Sequence, residues 1–478
     1  MGIGKDALTQ KSQTFDLDSS AIIYAATQKK EWNRTFRVAA TLKQKVEPKV
    51  LAKAIADLQP RFPTLYVQLE TGFFDYKVRT VHDTAILTKE SAYPCRPVLV
   101  GRGEKPMFRV TYFENRIAIE IFHLVTDGTG VMCLLKSILA RYLELQGFQV
   151  DKTDGVLSMS DVPSEHETED SFKKLKCENT IKVSRNEAPA YKYFPQDKDN
   201  YFKLTHGYFS VVELKTLTKA KSVTVTEYLV ALYAWAFYNN MLPEKSEKPI
   251  KISVPTDLRR LFASTTLRNF SLFTNVSIYP QKKDYTFDEF LQLAKQQMNE
   301  GFKKETLLSA ACKNLTDANM AVFRYMQLSL KKAILKIGYA LLGDKLITSS
   351  MSSLGIVTVP KGMGEHVDHF DMISGGTLKN FINCGILSFN GVMNVNFSSR
   401  CEATDIQRIF FTYLSERGVN IEVQSNVEQK AVNSTTMRHC GNCKVEFKDN
   451  HLHCPLCGRQ GLASAKQPVC ATAPYPEY

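Results

Sequence analysis

The chain has 478 residues, 44% of them hydrophobic and 23% charged, which excludes a collagen-like or disordered protein and suits two or three domains. No uncharged apolar run reaches the about eighteen residues that a membrane-spanning helix needs. The formal net charge of +12 admits an anionic lipid surface or a phosphate-bearing substrate, but the basic residues form no long cluster, so nucleic acid is a poor fit and a solvated basic surface is an equal reading.

Met1 to Asp6 lacks the apolar stretch of a secretory leader, and Asp6 stands where a myristoylation signal wants Ser or Thr, so a cytoplasmic protein is expected. Seven cysteines (Cys95, Cys133, Cys177, Cys312, Cys384, Cys401 and Cys470) are scattered without pairing logic and read as reduced thiols. Residues 1–20 are polar and expected to be only partly ordered. Arg34–Leu42 reads as a strand, Pro48–Leu58 as an amphipathic helix ending before Pro60, and Arg61–Leu69 as a strand again. Further strands are expected at Tyr76–Val81, Phe108–Phe113 and Arg116–Phe122, followed by a helix over Val131–Leu143. From Gln149 to Asp199 the composition shifts to an acidic and then a basic stretch, which reads as a crossover over the surface.

A second unit opens with a strand at Gly207–Leu214 and a helix at Lys215–Lys221. Glu227–Phe237 is apolar on nearly all sides, as a buried core helix is. Strands follow at Lys248–Pro255, Ser271–Tyr279, Gly355–Val359 and as a pair within Gly385–Phe397, with a closing helix over Asp405–Arg417. Along Met320–Leu342, the residues Val322, Phe323, Met326, Leu330, Ile334, Ile337 and Leu341 share one helical face, and Lys331, Lys332 and Lys336 lie elsewhere. Such a helix covers a core or lies on an anionic membrane, and the prevalence of core helices favours the first. The fold class is α/β with mixed sheets.

The stretch Ile121-Phe-His-Leu-Val-Thr-Asp-Gly128 places His123 where a strand ends and a loop leads into a helix, a position that can present a side chain to a cleft. Histidine takes and returns a proton near neutral pH. Most single histidines do neither, but Asp127 and Gly128 at these offsets set this one apart.

His123-Leu-Val-Thr-Asp-Gly128 resembles the His-x3-Asp-Gly signature of the chloramphenicol acetyltransferase-like superfamily, which includes alcohol acetyltransferases, plant BAHD acyltransferases and peptide-synthetase condensation domains. Leu51–Leu65 with its Arg61-Phe-Pro pattern is similar to the family's start, Val254-Pro-Thr-Asp-Leu-Arg259 to its Asp-x-Arg segment, and Ser352-Ser-Leu-Gly-Ile356 to a later Ser-Asn-Leu-Gly element, with Ser353 in place of Asn. The resemblance spans roughly residues 10–425 and fits the alcohol acetyltransferase branch best. Phe122 stands where condensation domains usually carry a further histidine, and the BAHD Asp-Phe-Gly-Trp-Gly motif is absent. What the resemblance implies is a pair of acetyltransferase-like subdomains with a central tunnel. His123 would be the general base, Asp127 would pair with Arg259, Gly128 would leave space at the wall, and Ser352 or Ser353 would serve the oxyanion. The donor would be acyl-CoA and the acceptor a small alcohol or amine.

Cys440-Gly-Asn-Cys443 and Cys454-Pro-Leu-Cys457 form two Cys-x2-Cys knuckles ten residues apart, a spacing that suits structural Zn(II) in a zinc ribbon. Val445–His453 between them reads as a hairpin turning at Asp449-Asn450, and His439, His451 and His453 as exposed bystanders. The expected division is residues 1–150 with the catalytic histidine, a crossover over 151–200, a second subdomain over 201–425, a linker over 426–438, the ribbon over 439–460 and a tail over 461–478. The leading expectation is an acyl-CoA-dependent O-acyltransferase. The alternatives are a condensation-type enzyme taking its acyl group from an acyl carrier protein, and a non-catalytic binding protein on the same scaffold. Weak contact with a membrane surface is a further expectation.

Overall fold

The computed structural model describes residues 12–28, 34–91, 94–101, 103–178, 180, 187–194, 198–241, 246–318, 325–375, 380–401, 403–426, 437–439, 446–448 and 462–463. The chain begins with β1 (Thr14–Asp16), α1 (Ala21–Thr27), β2 (Thr35–Leu42), α2 (Pro48–Leu58), β3 (Val67–Thr71), β4 (Tyr76–Thr80), β5 (Leu87–Lys89), β6 (Phe108–Phe113), β7 (Arg116–Phe122) and α3 (Gly128–Leu145). It continues with α4 (Glu165–Thr168), β8 (Lys198–Ser210), α5 (Val211–Ala220), α6 (Val225–Asn240), β9 (Ile250–Asp257), β10 (Ser271–Ile278), α7 (Phe287–Gly301), α8 (Lys304–Ala318) and α9 (Leu328–Leu342). Then come β11 (Ser349–Ile356), β12 (Val367–Ile373), β13 (Ile382–Phe389), β14 (Val392–Cys401), α10 (Asp405–Ser415) and β15 (Ile421–Ser425), followed by β16 (Met437–His439), β17 (Glu446–Lys448) and β18 (Leu462–Ala463).

Two mixed sheets carry the architecture. One has the order β12-β2-β7-β6-β5, the other β10-β9-β11-β13-β14-β8-β15. The parallel pairs are β5 with β6 and β11 with both β9 and β13, and the remaining neighbours run antiparallel. Asn390 and Gly391 join β13 to β14 with positive φ at both positions, the geometry that suits an Asn-Gly hairpin. Helices α2 and α3 pack Leu51, Ile55, Leu135 and Ile138 onto the first sheet, and α6 buries Leu229, Tyr233 and Phe237 against Phe397 of the second and Phe410 of α10. Although it comes late in the chain, β12 completes the first sheet by pairing with β2 (Phe370 opposite Ala40). Its outer residues meet the second sheet through a polar seam, where Tyr208 donates to Asp371 at 3.1 Å and Asn394 to the Phe370 carbonyl at 2.9 Å. Burial favours the neutral form of His369, yet Asp371 and Asp368 push its pKa up to about 9.

Several boundaries differ from expectation. Within the stretch expected to be partly ordered, β1 pairs with β4 and the Asp18 carboxylate accepts from the Ser20 and Ala21 amides at the start of α1. The strand expected from Arg61 starts only at Val67. Before it, Gln59–Arg61 form a tight turn and the Leu65 and Tyr66 amides bond back to the Phe62 carbonyl. Ser210 ends β8 and its hydroxyl caps the Val212 amide, so the helix expected from Lys215 begins at Val211. The strand expected at Gly355–Val359 is instead Ser349–Ile356. Helix α9 starts at Leu328, and Met320–Arg324 lie outside the described residues. Cys177 and Cys312, expected as free thiols, are joined in a disulfide that ties the crossover to α8. Cys95, Cys133, Cys384 and Cys401 are free and buried.

Cys440, Cys443, Cys454, Cys457, Cys470, His451 and His453 lie outside the described residues. Among the described residues no group of three His, Cys, Asp or Glu is placed to hold a metal ion, and no helix is long and apolar enough to cross a membrane. Of the hairpin expected at Val445–His453, Glu446–Lys448 is described, and it pairs with Met437–His439, with β18 on the other side of β16.

Candidate active site

His123 follows directly on β7, and its amide donates to the Arg34 carbonyl at 3.0 Å, which extends the β2–β7 pairing by one step. The ring lies between Tyr24 of α1 (centroids 4.8 Å apart, planes 25° apart) and Phe36 of β2 (4.9 Å). Both contacts restrict the ring to one orientation.

That orientation is set further by Asn269, whose Oδ1 lies 3.1 Å from His123 Nδ1. The amide's own orientation is decided by its partners. Asn269 Nδ2 faces two acceptors, Asp18 Oδ2 and the Leu124 carbonyl, each at 3.2 Å, so the atom left for the imidazole is the oxygen. His123 therefore carries its proton on Nδ1 and leaves Nε2 as the basic nitrogen. Burial holds the His123 pKa below its ordinary value, against its own backbone carbonyl, the nearby Asp127 charge and the Asn269 hydrogen bond. A neutral imidazole of fixed tautomer results. Asp18 is itself buried, and burial pushes its pKa up against the pull of Arg268.

Asp127 is the N-cap of α3 and accepts from the Gly130 amide at 3.2 Å. Arg259, just past β9, grips both its carboxylate oxygens at 3.0 Å, and the Phe270 amide adds a third donor at 2.8 Å. The rest of the guanidinium is equally engaged, with Thr266 and Arg268 carbonyls at 2.7 Å and Asp257 at 2.8 Å. Both partners are buried, so the pair binds the loop after β7 to the segment after β9. A side chain at Gly128 would press on Leu354, a flexible neighbour. One at Gly130 would overlap Thr126 Oγ1 and the Leu267 carbonyl, so the tighter glycine is the one after Gly128.

A cavity of about 1390 Å³ collects these parts, with His123, Asp127 and Gly128 on its wall beside Tyr24, and with Ser352 and Ser353 of β11 lining it too. Arg259 supports the wall from behind. Ser353 Oγ accepts from the Gly355 amide at 3.2 Å, where β11 changes register and Gly355 takes positive φ, so this serine shapes the strand's exit. Sequence reasoning brought together His123, Asp127 and Arg259 and missed Asn269, Asp18 and Tyr24. For Asp18 a signal existed, since Asp18-Ser-Ser20 before an apolar run reads as a helix start. Asn269 gave none, because its partners stand 146 and 251 residues away.

No family model matches the sequence, and no curated protein matches it. Solved structures do share its architecture. The starter condensation domain of rhizomide synthetase, in complex with C8-CoA and Leu-SNAC, superposes with a TM-score of 0.55 at 12% identity, over 84% of this chain and 94% of that one. Trichothecene 15-O-acetyltransferase from Fusarium sporotrichioides gives 0.53 at 10% identity, over 85% and 95%. The wax ester synthase/diacylglycerol acyltransferase from Marinobacter aquaeolei gives 0.51 at 13% identity, over 84% and 98%. The chain thus has the fold common to condensation domains and these acyltransferases, and at such identities the fold is what the likeness shows.

Proposed function

We propose that this chain is an acyltransferase that moves an acyl group from acyl-CoA to an alcohol or amine, with His123 as general base. The observation that carries the reading is the His123 tautomer, fixed by Asn269 on the wall of a large cavity in a fold of this kind. In the reaction the acceptor's proton passes to His123 Nε2 while its oxygen or nitrogen attacks the thioester carbonyl. The tetrahedral oxyanion then collapses, the carbon–sulfur bond breaks, and the departing thiolate takes the proton back from the imidazolium. No enzyme nucleophile is required, since the thioester is already activated. Asp127 and Arg259 hold the loop, Gly128 keeps the wall open, and Ser352 offers its hydroxyl to the oxyanion. Replacement of Ser352 by alanine is expected to lower kcat at least about tenfold with little change in KM, the signature of an interaction made in the transition state. An unchanged kcat removes Ser352 from that role.

The deciding assay is thiol release from acetyl-CoA and longer acyl-CoAs against a panel of alcohols and amines, run beside an acylated carrier protein. Some structures of this fold are condensation domains, so the carrier is the second reading. Phe122, at the position of their further histidine, supports the free thioester. Turnover with the carrier alone overturns the acyl-CoA assignment, and binding of acyl-CoA without turnover of either donor points to a non-catalytic scaffold.

For the C-terminal segment we propose structural Zn(II) held by Cys440, Cys443, Cys454 and Cys457. Four thiolates make a closed tetrahedral set, so the metal would supply folding energy to a module with little core and no step of the reaction. Purified protein is expected to carry one zinc per chain by elemental analysis. Cys440→Ser/Cys443→Ser should lose the metal and keep transfer activity. Zinc retained by that variant would defeat the assignment.

A further inference from the structure

Helix α9 presents two different faces. Leu328, Leu335 and Tyr339 line the cavity that holds His123, and Arg34 lies over the rings of both Tyr339 and Tyr24, 4.5 Å and 5.2 Å from their centroids. The other face is apolar and open to solvent. Leu330, Ile334 and Ile337 share it at helical spacing and are 55%, 42% and 61% exposed, values far above those of a core helix. Phe73 and Phe74, 67% and 46% exposed, stand beside its first turn, where the Leu328 amide donates to the Phe73 carbonyl at 2.9 Å. An exposed row of Leu330, Ile334 and Ile337 on one helix, with Phe73 and Phe74 exposed at its N-terminal end, signals a docking surface rather than scattered surface residues. Lys336 is exposed at the edge of this face, and the half-buried Lys332 lies further round, nearer the cavity side, within a chain of net charge +12.

We propose that this side of α9, with Phe73 and Phe74, docks on an anionic lipid bilayer. The apolar stripe enters the headgroup boundary while Lys332 and Lys336 keep their charges among the lipid phosphates, the arrangement of an interfacial amphipathic helix. Because the inner face of the same helix lines the cavity, docking sets that cavity's roof against the membrane. An acceptor alcohol with a lipid-like tail then reaches His123 without crossing water. The delivery step rests on the acyltransferase reading above; the docking itself does not.

The test is co-sedimentation of the full chain with vesicles of 70% phosphatidylcholine and 30% phosphatidylserine, beside vesicles of phosphatidylcholine alone. Wild type should bind the anionic vesicles at least about tenfold more tightly, and Ile334→Glu/Ile337→Glu should lose that binding at an unchanged melting temperature. Lys332→Glu/Lys336→Glu, which leaves the stripe intact, should lower affinity for the anionic vesicles only. If the lysine variant melts normally, it tests the idea even where the isoleucine variant fails to fold. Absence of binding by wild type, or equal binding by all variants, overturns docking. So does a dimer in solution that the isoleucine variant disperses, since the stripe would then face a second copy. In assays, loss of turnover with vesicle-borne long-chain alcohol but not with a soluble one, in the docking variants, supports delivery. Inactivity of wild type toward every acceptor while binding persists removes the acyltransferase reading and leaves docking standing.

Discussion

Replacing His123 with alanine lowers kcat by about a hundred- to ten-thousand-fold, the span that a positioned general base supplies. The melting temperature should change little, because half of the residue's setting is cavity rather than core. The pH profile gives the finer check. Burial holds the imidazole below its ordinary value of 6.5, and under the proposed role as general base the neutral form is the one that acts. Turnover therefore rises as pH increases through that depressed value, and the acid limb of kcat/KM lies below pH 6.5. Asn269→Leu removes an acceptor that favours the protonated ring, so the limb should move further toward acid while kcat falls because the ring loses a partner that orients it. Retained activity in His123→Ala, or an acid limb above 6.5, would sink the assignment of this histidine as the base.

What the sequence disclosed followed the strength of its local signals. Pro48–Leu58, Phe108–Phe113 and Arg116–Phe122 form the elements expected at those bounds, because each has a clean period and a defined stop. Strand β11 escaped notice over most of its length, since Ser349-Ser-Met-Ser-Ser353 carries no apolar alternation. Ser349 is satisfied instead by the Ile382 carbonyl across the sheet and by Tyr233 of α6, and Ser350 by Asn383. A polar central strand of this kind is set by its neighbours β9 and β13 and cannot be read alone. The site divides in the same way. His123 and Asp127 share one short stretch and were legible there, and Arg259 was reached through resemblance. Asn269, which selects the tautomer, meets the histidine only when the residues after β9 fold over the loop after β7. The disulfide between Cys177 and Cys312 was hidden for the same reason, its partners standing 135 positions apart in sequence.

Arg259→Ala should destabilise the protein by about 3–5 kcal/mol, the usual cost of stripping one partner from a buried ion pair. The loss is larger than that of any surface charge because the guanidinium serves Asp127, Asp257 and two carbonyls at once. Arg259→Lys should recover little, since a single ammonium cannot reproduce a fork directed at four groups. Asp127→Ala leaves the buried guanidinium with Asp257 and the two carbonyls as its remaining partners, and also uncaps α3 at Gly130. The informative variant is therefore the double one. With both charges gone no unpaired ion remains, so Asp127→Ala/Arg259→Ala should be less destabilised than the sum of the single changes by at least about 1 kcal/mol. Thermal and denaturant unfolding of the four proteins measures this directly, and activity assayed below each melting temperature separates the two contributions of the pair. If the pair only positions the loop that begins at His123, every variant that remains folded keeps a measurable kcat, well above that of His123→Ala. Strict additivity would show that the two charges do not act on each other.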